Sequence, residues 1–392
     1  MTAHDRAASS NPAAGDRSAG PRPLKVLQIL PELNAGGVER GTIDLARELV
    51  ARGHRSWVVS AGGRMVESLE AQGSTHITLP VHRKSLVSLR YVRPLRRVFE
   101  ALQPDIVHMR SRLPAWLTWL AWRKLDPRTR PHLVTTFHGM YSVNRYSAIM
   151  GCGETVIAIS AAVRAYILDN YPRIDPARIT LIHRGVDVAE FPRGYQPDAE
   201  WRAAFAAACP QTRGKRLLLM PGRLSRWKGQ EDFIALMAAL KARGLTDIHG
   251  LIVGGAEANK RHYEDELRAQ VAQQGLADDV SFLGHRRDMR ELYAASALVC
   301  NLSNRPEPFG RTVTEALSIG TPVVAYDQGG PAEVLRDCYP QGLATPATLA
   351  DVTAQVLATA SPIDLKADYT LATQVEKTLQ VYQGLVRSNA EG

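Results

Sequence analysis

Cysteine is scarce in this chain of 392 residues, which has only Cys152, Cys209, Cys300 and Cys338. They lie far apart and form no C-x-x-C pair, so the sequence predicts neither a zinc site nor a disulfide framework. Each is expected to be a reduced, buried apolar side chain of a cytoplasmic protein.

Long hydrophobic runs are also missing. No stretch approaches the roughly 20 apolar residues that a membrane-spanning helix needs, although 45% of the residues are hydrophobic. Residues 1–22 are rich in small and charged residues and have no apolar core like that of a signal peptide. We therefore expect a disordered tail, followed by enough chain for two domains of ordinary size.

Negative charge is in short supply in the first half of the chain. Residues 1–195 contain 27 Lys and Arg against 16 Asp and Glu, whereas residues 196–392 contain 21 against 23. The formal net charge of +9 therefore resides in the first half, which predicts an anionic partner there. An anionic membrane surface or a glycolipid fits the other features of the sequence better than nucleic acid does.

The stretch Asn304–Pro331 is the one around which the chain is organised. A loop with two prolines leads into a short helix, predicted over about 312–319 and ended by Gly320. Such a loop aims the free N–H groups of a helix N-terminus at an anion, most often a phosphate. Glu307 and Glu315 bracket the loop, and their carboxylates are suited to accept hydrogen bonds from hydroxyls on either side of phosphates. The pattern predicts a nucleotide-sugar ligand.

Two further loops have the chemistry of phosphate sites. Gly36 and Gly37 follow an apolar strand and precede a helix, but they do not form the G-x-G-x-x-G of dinucleotide-binding folds. The second loop, Gly222–Gly229, follows the first predicted strand of the second half. There Arg223 can grip phosphate oxygens with two nitrogens, and Lys228 supplies a point charge.

Predicted strands and helices alternate through both halves of the chain. This repetition is typical of an α/β protein with open parallel sheets covered by helices on both faces. Phe191–Pro197, rich in Pro, Gly and aromatic residues, is suited to a hinge between two such domains. The predicted parts are a tail at 1–22, a first domain at 23–195, a second domain at 196–367 and a C-terminal helix within 368–392.

The loop motifs resemble those of the retaining family 4 glycosyltransferases. They are EPFG at 307–310, an E-x7-E from 307 to 315, GGVER at 36–40 and G-R-x4-K-G at 222–229. The resemblance extends from about Leu24 to the C-terminal helix. It implies the GT-B fold, in which two doubly wound, Rossmann-like parallel-sheet domains face a cleft and the last helix packs back onto the first domain. The first domain is then expected to be the acceptor side of the cleft and the second domain to bind the nucleotide-sugar. It also implies transfer of an activated sugar with retained anomeric configuration, with no cofactor and no dedicated metal ion.

The resemblance also implies how the donor is held. Glu315 is expected to bind the ribose diol of the nucleotide. Glu307 is expected to hold the donor sugar, together with the backbone of Phe309, Gly310 and Arg311.

The resemblance further implies which residues surround the bond between the donor sugar and the diphosphate. Arg223 and Lys228 are expected to stabilise the leaving diphosphate, which is the electrostatic part of catalysis. His138 ends a predicted strand and is expected to line the donor-sugar pocket. Gly36 and Gly37 are expected to face the donor diphosphate and the acceptor across the cleft.

Three phrases most resemble lipopolysaccharide-core glycosyltransferases of Gram-negative bacteria. These are VERGTIDLAREL at 38–49, RSRLPAW at 110–116 and TTFHGMY at 135–141. They imply a glycolipid or oligosaccharide acceptor and a peripheral location on the inner face of the inner membrane. One departure is IHRGVD at 182–187, because the family more often has Pro-Asn before Gly-Val-Asp.

A basic segment in the first half fits such a location. On a helix predicted over 88–102, Arg90, Arg93 and Arg97 recur at i, i+3 and i+7 and share a face. This face is interpreted as a membrane or acidic-acceptor patch, with a solvated surface as the alternative. Three tryptophans recur nearby, at Trp116, Trp119 and Trp122. They are interpreted as core residues, with anchoring at a membrane interface as the alternative.

The sequence leaves several alternatives open. The donor is GDP-mannose or a UDP-sugar, and neither the acceptor hydroxyl nor the linkage is specified. A GT-B-fold nucleotide-sugar epimerase would use a similar donor site without an acceptor. A non-catalytic carbohydrate- or membrane-binding protein would be marked by loss of Glu307, Arg223 or Lys228, and all three are present.

Overall fold

The computed structural model describes residues 22–34, 36–83, 85–255 and 261–388. The predicted tail therefore lies outside the described residues, apart from Arg22. This residue pairs with Asp105, with 2.8 Å between guanidinium nitrogen and carboxylate oxygen. No helix in these ranges is long and apolar enough to cross a lipid bilayer.

The first domain is a parallel sheet of seven strands. Its strands are β1 Lys25–Ile29, β2 Arg55–Ser60, β3 Thr75–Thr78, β4 Ile106–Met109, β5 His132–Phe137, β6 Thr155–Ala158 and β7 Ile179–Leu181. The helices between them are α1 Gly37–Ala51, α2 Val66–Ala71, α3 Val92–Leu102, α4 Arg112–Trp122 and α5 Ala161–Asn170. The strand order is β3-β2-β1-β4-β5-β6-β7. The middle strands are buried along their length, as expected of a sheet covered on both faces.

The second domain repeats the design with six parallel strands. These are β8 Arg216–Pro221, β9 Ile248–Val253, β10 Val280–Gly284, β11 Leu298–Asn301, β12 Val323–Tyr326 and β13 Leu343–Ala344, in the order β10-β9-β8-β11-β12-β13. The helices are α6 Ala199–Ala208, α7 Gln230–Ala242, α8 Arg261–Gln273, α9 Met289–Ala295, α10 Arg311–Ile319, α11 Gly329–Cys338 and α12 Leu349–Ala358. The predicted pair of parallel-sheet α/β domains is confirmed.

The last helix, α13 (Leu371–Ser388), returns to the first domain. Its apolar residues Leu371, Val375 and Leu379 pack against residues of the first sheet that include Val26 and Ile106. A hydrogen bond of 2.6 Å joins the hydroxyl of Tyr382, on the same helix, to Nδ1 of the buried His108.

A close backbone crossing fixes the start of α13. Val186 forms a parallel bridge with Thr370, and the Gly185 N–H donates to Gln374 Oε1 at 2.6 Å. A Cβ atom placed on Gly185 would lie 2.2 Å from the carbonyl carbon of Thr370. Only glycine therefore allows the two segments to approach this closely.

We expect Gly185→Ala to lower the free energy of unfolding by about 1–3 kcal/mol, because the added methyl forces the two backbones apart. Thermal unfolding measures the change. Gly384→Ala is the matched control, since this glycine is exposed on α13 and its added Cβ would meet nothing within 4 Å. An unchanged melting temperature in Gly185→Ala would contradict this role for the crossing.

The prediction of a helix over 88–102 is wrong for the first residues of that range. Leu86–Tyr91 forms a 3₁₀ segment, and the α-helix begins only at Val92. Ser85 caps the 3₁₀ segment by accepting from the Val87 N–H at 3.2 Å. Because a 3₁₀ turn has three residues rather than 3.6, the predicted i, i+3, i+7 face is not a single helical face.

Both sheets reverse their strand order beside their first strand, between β1 and β4 and between β8 and β11. Loops that leave the carboxyl ends of such strands open the crevice in which α/β sheets bind ligands. These loops carry Gly36 and Gly37, Arg110, the Arg223–Lys228 segment and Glu307. Parallel pairing thus gathers residues that are far apart in sequence.

Candidate active site

The loop after β8 is held against the loop after β11 by a glycine. Gly229 has φ of 82°, in the left-handed region, and a Cβ atom there would lie 1.9 Å from the Leu302 carbonyl oxygen. Only a residue without a side chain fits this contact. The consequence is that Lys228 lies beside Glu307, 79 residues further along the chain.

Lys228 and Glu307 form an ion pair. The distance between Lys228 Nζ and Glu307 Oε1 is 2.5 Å, and Glu307 is only 6% exposed. The Ser303 hydroxyl donates a hydrogen bond to the same carboxylate oxygen. A buried carboxylate is stable when it is paired and hydrogen-bonded in this way, so Glu307 is fixed in position before any ligand binds.

The backbone around Glu307 is packed against the turn that opens α11. The Gly330 N–H donates to the Glu307 carbonyl at 2.8 Å, and a Cβ on Gly330 would lie 2.4 Å from Phe309 Cα. Gly310, with φ of 84°, precedes α10. The first turn of α10, with Arg311 and Thr312, lines the cavity between the domains. The start of α10 thus opens into the cavity, and a helix N-terminus in such a position favours an anion.

Glu315 lies one turn further along α10. Its carboxylate accepts from the Tyr293 hydroxyl at 2.9 Å and from Arg311 Nη2 at 3.0 Å. Burial first, and then the neighbouring Glu315, hold the pKa of Tyr293 well above its ordinary value. Tyr293 therefore remains a hydrogen-bond donor that orients the Glu315 carboxylate.

The domains enclose a cavity of about 270 Å³. The first domain contributes Gly37, His138 and Arg184, while the second contributes Arg223, Lys228, Glu307 and the 308–312 segment. Among the predicted site residues, Gly36 lies next to this lining and Glu315 lies one turn behind it. Arg90, Arg93 and Arg97 are not part of this cleft; they lie exposed on the 3₁₀ segment and α3.

His138 follows β5 and is neutral at physiological pH. Burial, followed by the positive charges of Arg110 and Arg184, lowers its pKa well below the ordinary value. Arg184 Nη2 lies 3.4 Å from His138 Nδ1. Because arginine only donates, Nδ1 is the acceptor and Nε2 carries the proton. That Nε2 is buried without a hydrogen-bond partner in the structure, so it can donate to a ligand in the cleft.

Arg184 is a residue that the motifs did not assign to the site. It lies in the segment after β7, and its guanidinium donates to the Gly37 carbonyl oxygen at the start of α1. The sequence did contain a signal for this residue, because the 182–187 segment departs from the Pro-Asn that the family more often has before Gly-Val-Asp. Burial, followed by the neighbouring Arg311 and Arg110, lowers the pKa of Arg184 to about 9.

Contacts between the domains also escaped the sequence analysis. Ser160 Oγ donates to the Pro308 carbonyl at 2.6 Å, which links the first domain to the Glu307 loop. Glu333, on α11, accepts from the Ala161 N–H at 2.8 Å and lies 2.5 Å from His183 Nε2. Burial raises the pKa of Glu333, but the His183 contact and backbone hydrogen bonds outweigh it and lower the pKa overall. These contacts fix how the two halves of the cleft face each other.

Two family models match the two domains. Residues 35–190 match the model described as "Glycosyltransferase Family 4", and residues 207–362 match "Glycosyl transferases group 1". A D-inositol 3-phosphate glycosyltransferase of Mycolicibacterium gilvum is 28% identical over 84% of this chain and 74% of its own. The lipopolysaccharide core biosynthesis mannosyltransferase LpcC of Rhizobium leguminosarum is 33% identical over 40% of this chain and 42% of its own.

Solved structures agree on the architecture. A glycosyltransferase from Rickettsia africae superposes with a TM-score of 0.81 at 26% identity, covering 93% of this chain and 99% of its own. Anabaena HepE, solved with UDP and glucose, superposes with a TM-score of 0.68 at 22% identity over 94% and 98% of the two chains, which shows a shared fold. Two family models, one on each domain, and two facing parallel sheets establish that this chain is a glycosyltransferase of the GT-B fold.

Proposed function

We propose that the protein is a retaining, family 4 glycosyltransferase that transfers a sugar from GDP-mannose or a UDP-sugar to a glycolipid acceptor of the lipopolysaccharide-core type. The observation that carries the donor proposal is the Lys228–Glu307 pair in the interdomain cavity. It places a cation for phosphate beside a carboxylate for sugar hydroxyls, at the N-terminus of α10. The UDP and glucose seen with HepE support the same ligand class.

The proposed reaction breaks the bond between the anomeric carbon and the diphosphate oxygen. Arg223, Lys228 and the N-terminus of α10 stabilise the charge that grows on the diphosphate. Glu307 is the one carboxylate among the described residues that line the cavity, and it is paired with Lys228. This favours a mechanism in which the acceptor oxygen attacks from the face that the diphosphate leaves. A diphosphate oxygen takes the acceptor proton, and Glu307 clamps the sugar.

The acceptor proposal rests on the relatives. LpcC is named for lipopolysaccharide core biosynthesis, which supports a glycolipid. The Mycolicibacterium relative is named for D-inositol 3-phosphate, which makes a soluble phosphorylated polyol the second candidate.

A donor screen tests the proposal. UDP-, GDP- and ADP-sugars are added to the protein, and the one that binds the folded state raises the melting temperature. NMR of the product made with that donor then reports the anomeric configuration, which we expect to be retained. An epimerised donor formed without an acceptor would contradict the transferase proposal, and inversion would contradict the proposed mechanism.

We further propose that the protein attaches to the inner face of the inner membrane through its first domain. Three apolar side chains project beside the basic patch; they are Leu86, Val87 and Leu89, exposed by 86%, 58% and 50%. The three tryptophans are less suited to this role, because they are only partly exposed and pack against the core. Their indole N–H groups at Trp116 and Trp122 donate to backbone carbonyls. Of the two apolar candidates, the exposed 86–89 segment is therefore better placed than the tryptophans to contact a membrane.

We expect the protein to sediment with anionic liposomes, to bind neutral ones little, and to be released by salt. Each Lys or Arg near an anionic surface contributes roughly 1 kcal/mol, screened over about 8 Å in physiological salt. Reversal of Arg90, Arg93 and Arg97 to Glu should abolish sedimentation and leave nucleotide-sugar binding intact. Salt-resistant binding lost in Leu86→Ser would assign attachment to the apolar segment instead. No binding to either liposome would contradict membrane attachment.

A further inference from the structure

We propose that Arg184, supported by Arg110, forms a subsite for an anionic group of the acceptor, either a phosphate monoester or a carboxylate. This inference rests on the proposed transferase function and narrows its acceptor class.

The Arg184 side chain is held in place and lines the cleft. Its guanidinium is anchored on the Gly37 carbonyl and lies beside His138, and all three residues line the interdomain cavity. A Cβ atom placed on Gly37 would lie 2.6 Å from Arg184 Nη1. The glycine therefore makes room for this arginine.

The positive charge of Arg184 is not neutralised by an ion pair. No carboxylate lies within ion-pair distance of Arg184 among the described residues, whereas Arg311 is paired with Glu315 at 3.0 Å. Arg110 lies behind Arg184, and both line a small inner cavity of about 20 Å³ together with His138. The structure therefore concentrates positive charge at one end of the cleft.

Arg110 has a donor to spare. It is only 3% exposed, and its Nη1 donates to Gln28 Oε1 at 3.0 Å. Its Nε is buried and has no hydrogen-bond partner among the residues that the structure describes. Buried, unpaired cations are unfavourable unless a counter-charge compensates them. An anion in the cleft would accept a hydrogen bond from the free His138 Nε2–H. Arg110 lines the inner cavity rather than the cleft, so it supports the anion through its charge.

The location favours the acceptor over the donor diphosphate. Arg223, Lys228 and the N-terminus of α10 belong to the second domain and already offset the diphosphate charge. Arg184 and Arg110 belong to the first domain. The family resemblance implies that this domain is the acceptor side of the cleft. Arginine binds phosphate and carboxylate with two parallel hydrogen bonds, so either group fits the chemistry.

The test measures anion binding with the diphosphate site already filled. Protein saturated with UDP or GDP, whichever raises its melting temperature, is titrated with inorganic phosphate, D-glucuronate or neutral D-glucose. We expect phosphate, glucuronate or both to bind, and glucose to bind more weakly. In R184Q that anion binding should fall about tenfold or more, while nucleotide affinity changes less than twofold. The matched control R55Q removes an exposed arginine at the opposite end of the first sheet and should bind like wild type.

A second variant covers the case in which R184Q does not fold. G37A keeps the charge but displaces the guanidinium, so it should also weaken anion binding. Unchanged anion binding in a folded R184Q, or in G37A, would overturn the subsite. The subsite would also be overturned if no anion bound to the nucleotide-bound protein. A tenfold loss of nucleotide affinity in R184Q would overturn it as well, because it would assign Arg184 to the donor diphosphate. If neither nucleotide binds, the donor proposal fails separately, and the same titrations without nucleotide still test Arg184.

Discussion

Lys228→Ala is expected to lower turnover by about a hundredfold or more, which corresponds to about 2.7 kcal/mol of lost transition-state stabilisation. Two physical effects act together. First, the ammonium that stabilises the negative charge on the leaving diphosphate is removed. Second, the Glu307 carboxylate, 2.5 Å from Lys228 Nζ in the wild type, is left buried without its counter-charge. Arg223→Ala leaves the Lys228–Glu307 pair in place but removes a second positive charge from the diphosphate site, and we expect a loss of about two orders of magnitude there as well.

Steady-state rates with the donor found in the screen measure both effects. Lys241→Ala is the matched control, because Lys241 also pairs with a carboxylate of the second domain at 2.5 Å, that of Asp279, but on the outer surface. Exposed pairs of this kind contribute little to stability, so its turnover should equal that of wild type. Turnover near the wild-type value in Lys228→Ala or Arg223→Ala would contradict a role for that residue in stabilising the leaving diphosphate.

Glu307→Gln and Glu315→Gln are expected to differ in their effect on nucleotide binding. Glu307→Gln should lower turnover of the intact sugar donor by about tenfold to a hundredfold, because a charged acceptor for sugar hydroxyls is lost. Affinity for free nucleoside diphosphate should hold or rise, since Lys228 is released from its ion pair. Glu315→Gln should mainly weaken nucleotide binding, by about tenfold, because the ribose loses its carboxylate partner.

Isothermal titration with the free nucleoside diphosphate, beside turnover of the sugar donor, separates the two variants. Glu291→Gln is a suitable control for Glu315→Gln. Its carboxylate also accepts from a tyrosine and an arginine, Tyr195 at 2.9 Å and Arg290 at 2.7 Å, but it does not line the cleft. Equal loss of nucleotide affinity in Glu307→Gln and Glu315→Gln would contradict the division between sugar and ribose.

The basic patch on the first domain shows where local pattern misleads. Exposure of Arg90, Arg93 and Arg97 was predictable because a run of arginines is seldom buried. The helix start was not, because the Ser85 cap tightens the first turn into a 3₁₀ segment and turns Leu86, Val87 and Leu89 outward. The apolar component of the proposed membrane contact therefore emerged only from the structure.

Sequence alone determined the features that depend on neighbours along the chain. Alternating apolar strands and helices specified two parallel sheets, because each element buries its own apolar residues. Gly320 marked the end of the helix that follows the predicted donor loop, and its φ is positive, at 103°. The Glu307–Glu315 spacing pointed to a nucleotide-sugar because it depends on one loop and one helix.

Only the tertiary structure decided how distant segments meet. The Lys228–Glu307 pair spans 79 residues and depends on the left-handed Gly229 against Leu302. Arg184 reaches Gly37 across 147 residues, so no local pattern could place its charge in the cleft. The physical reason is that such contacts are set by strand order and domain packing, which bring side chains together from loops that share an edge of the sheet but not a stretch of sequence.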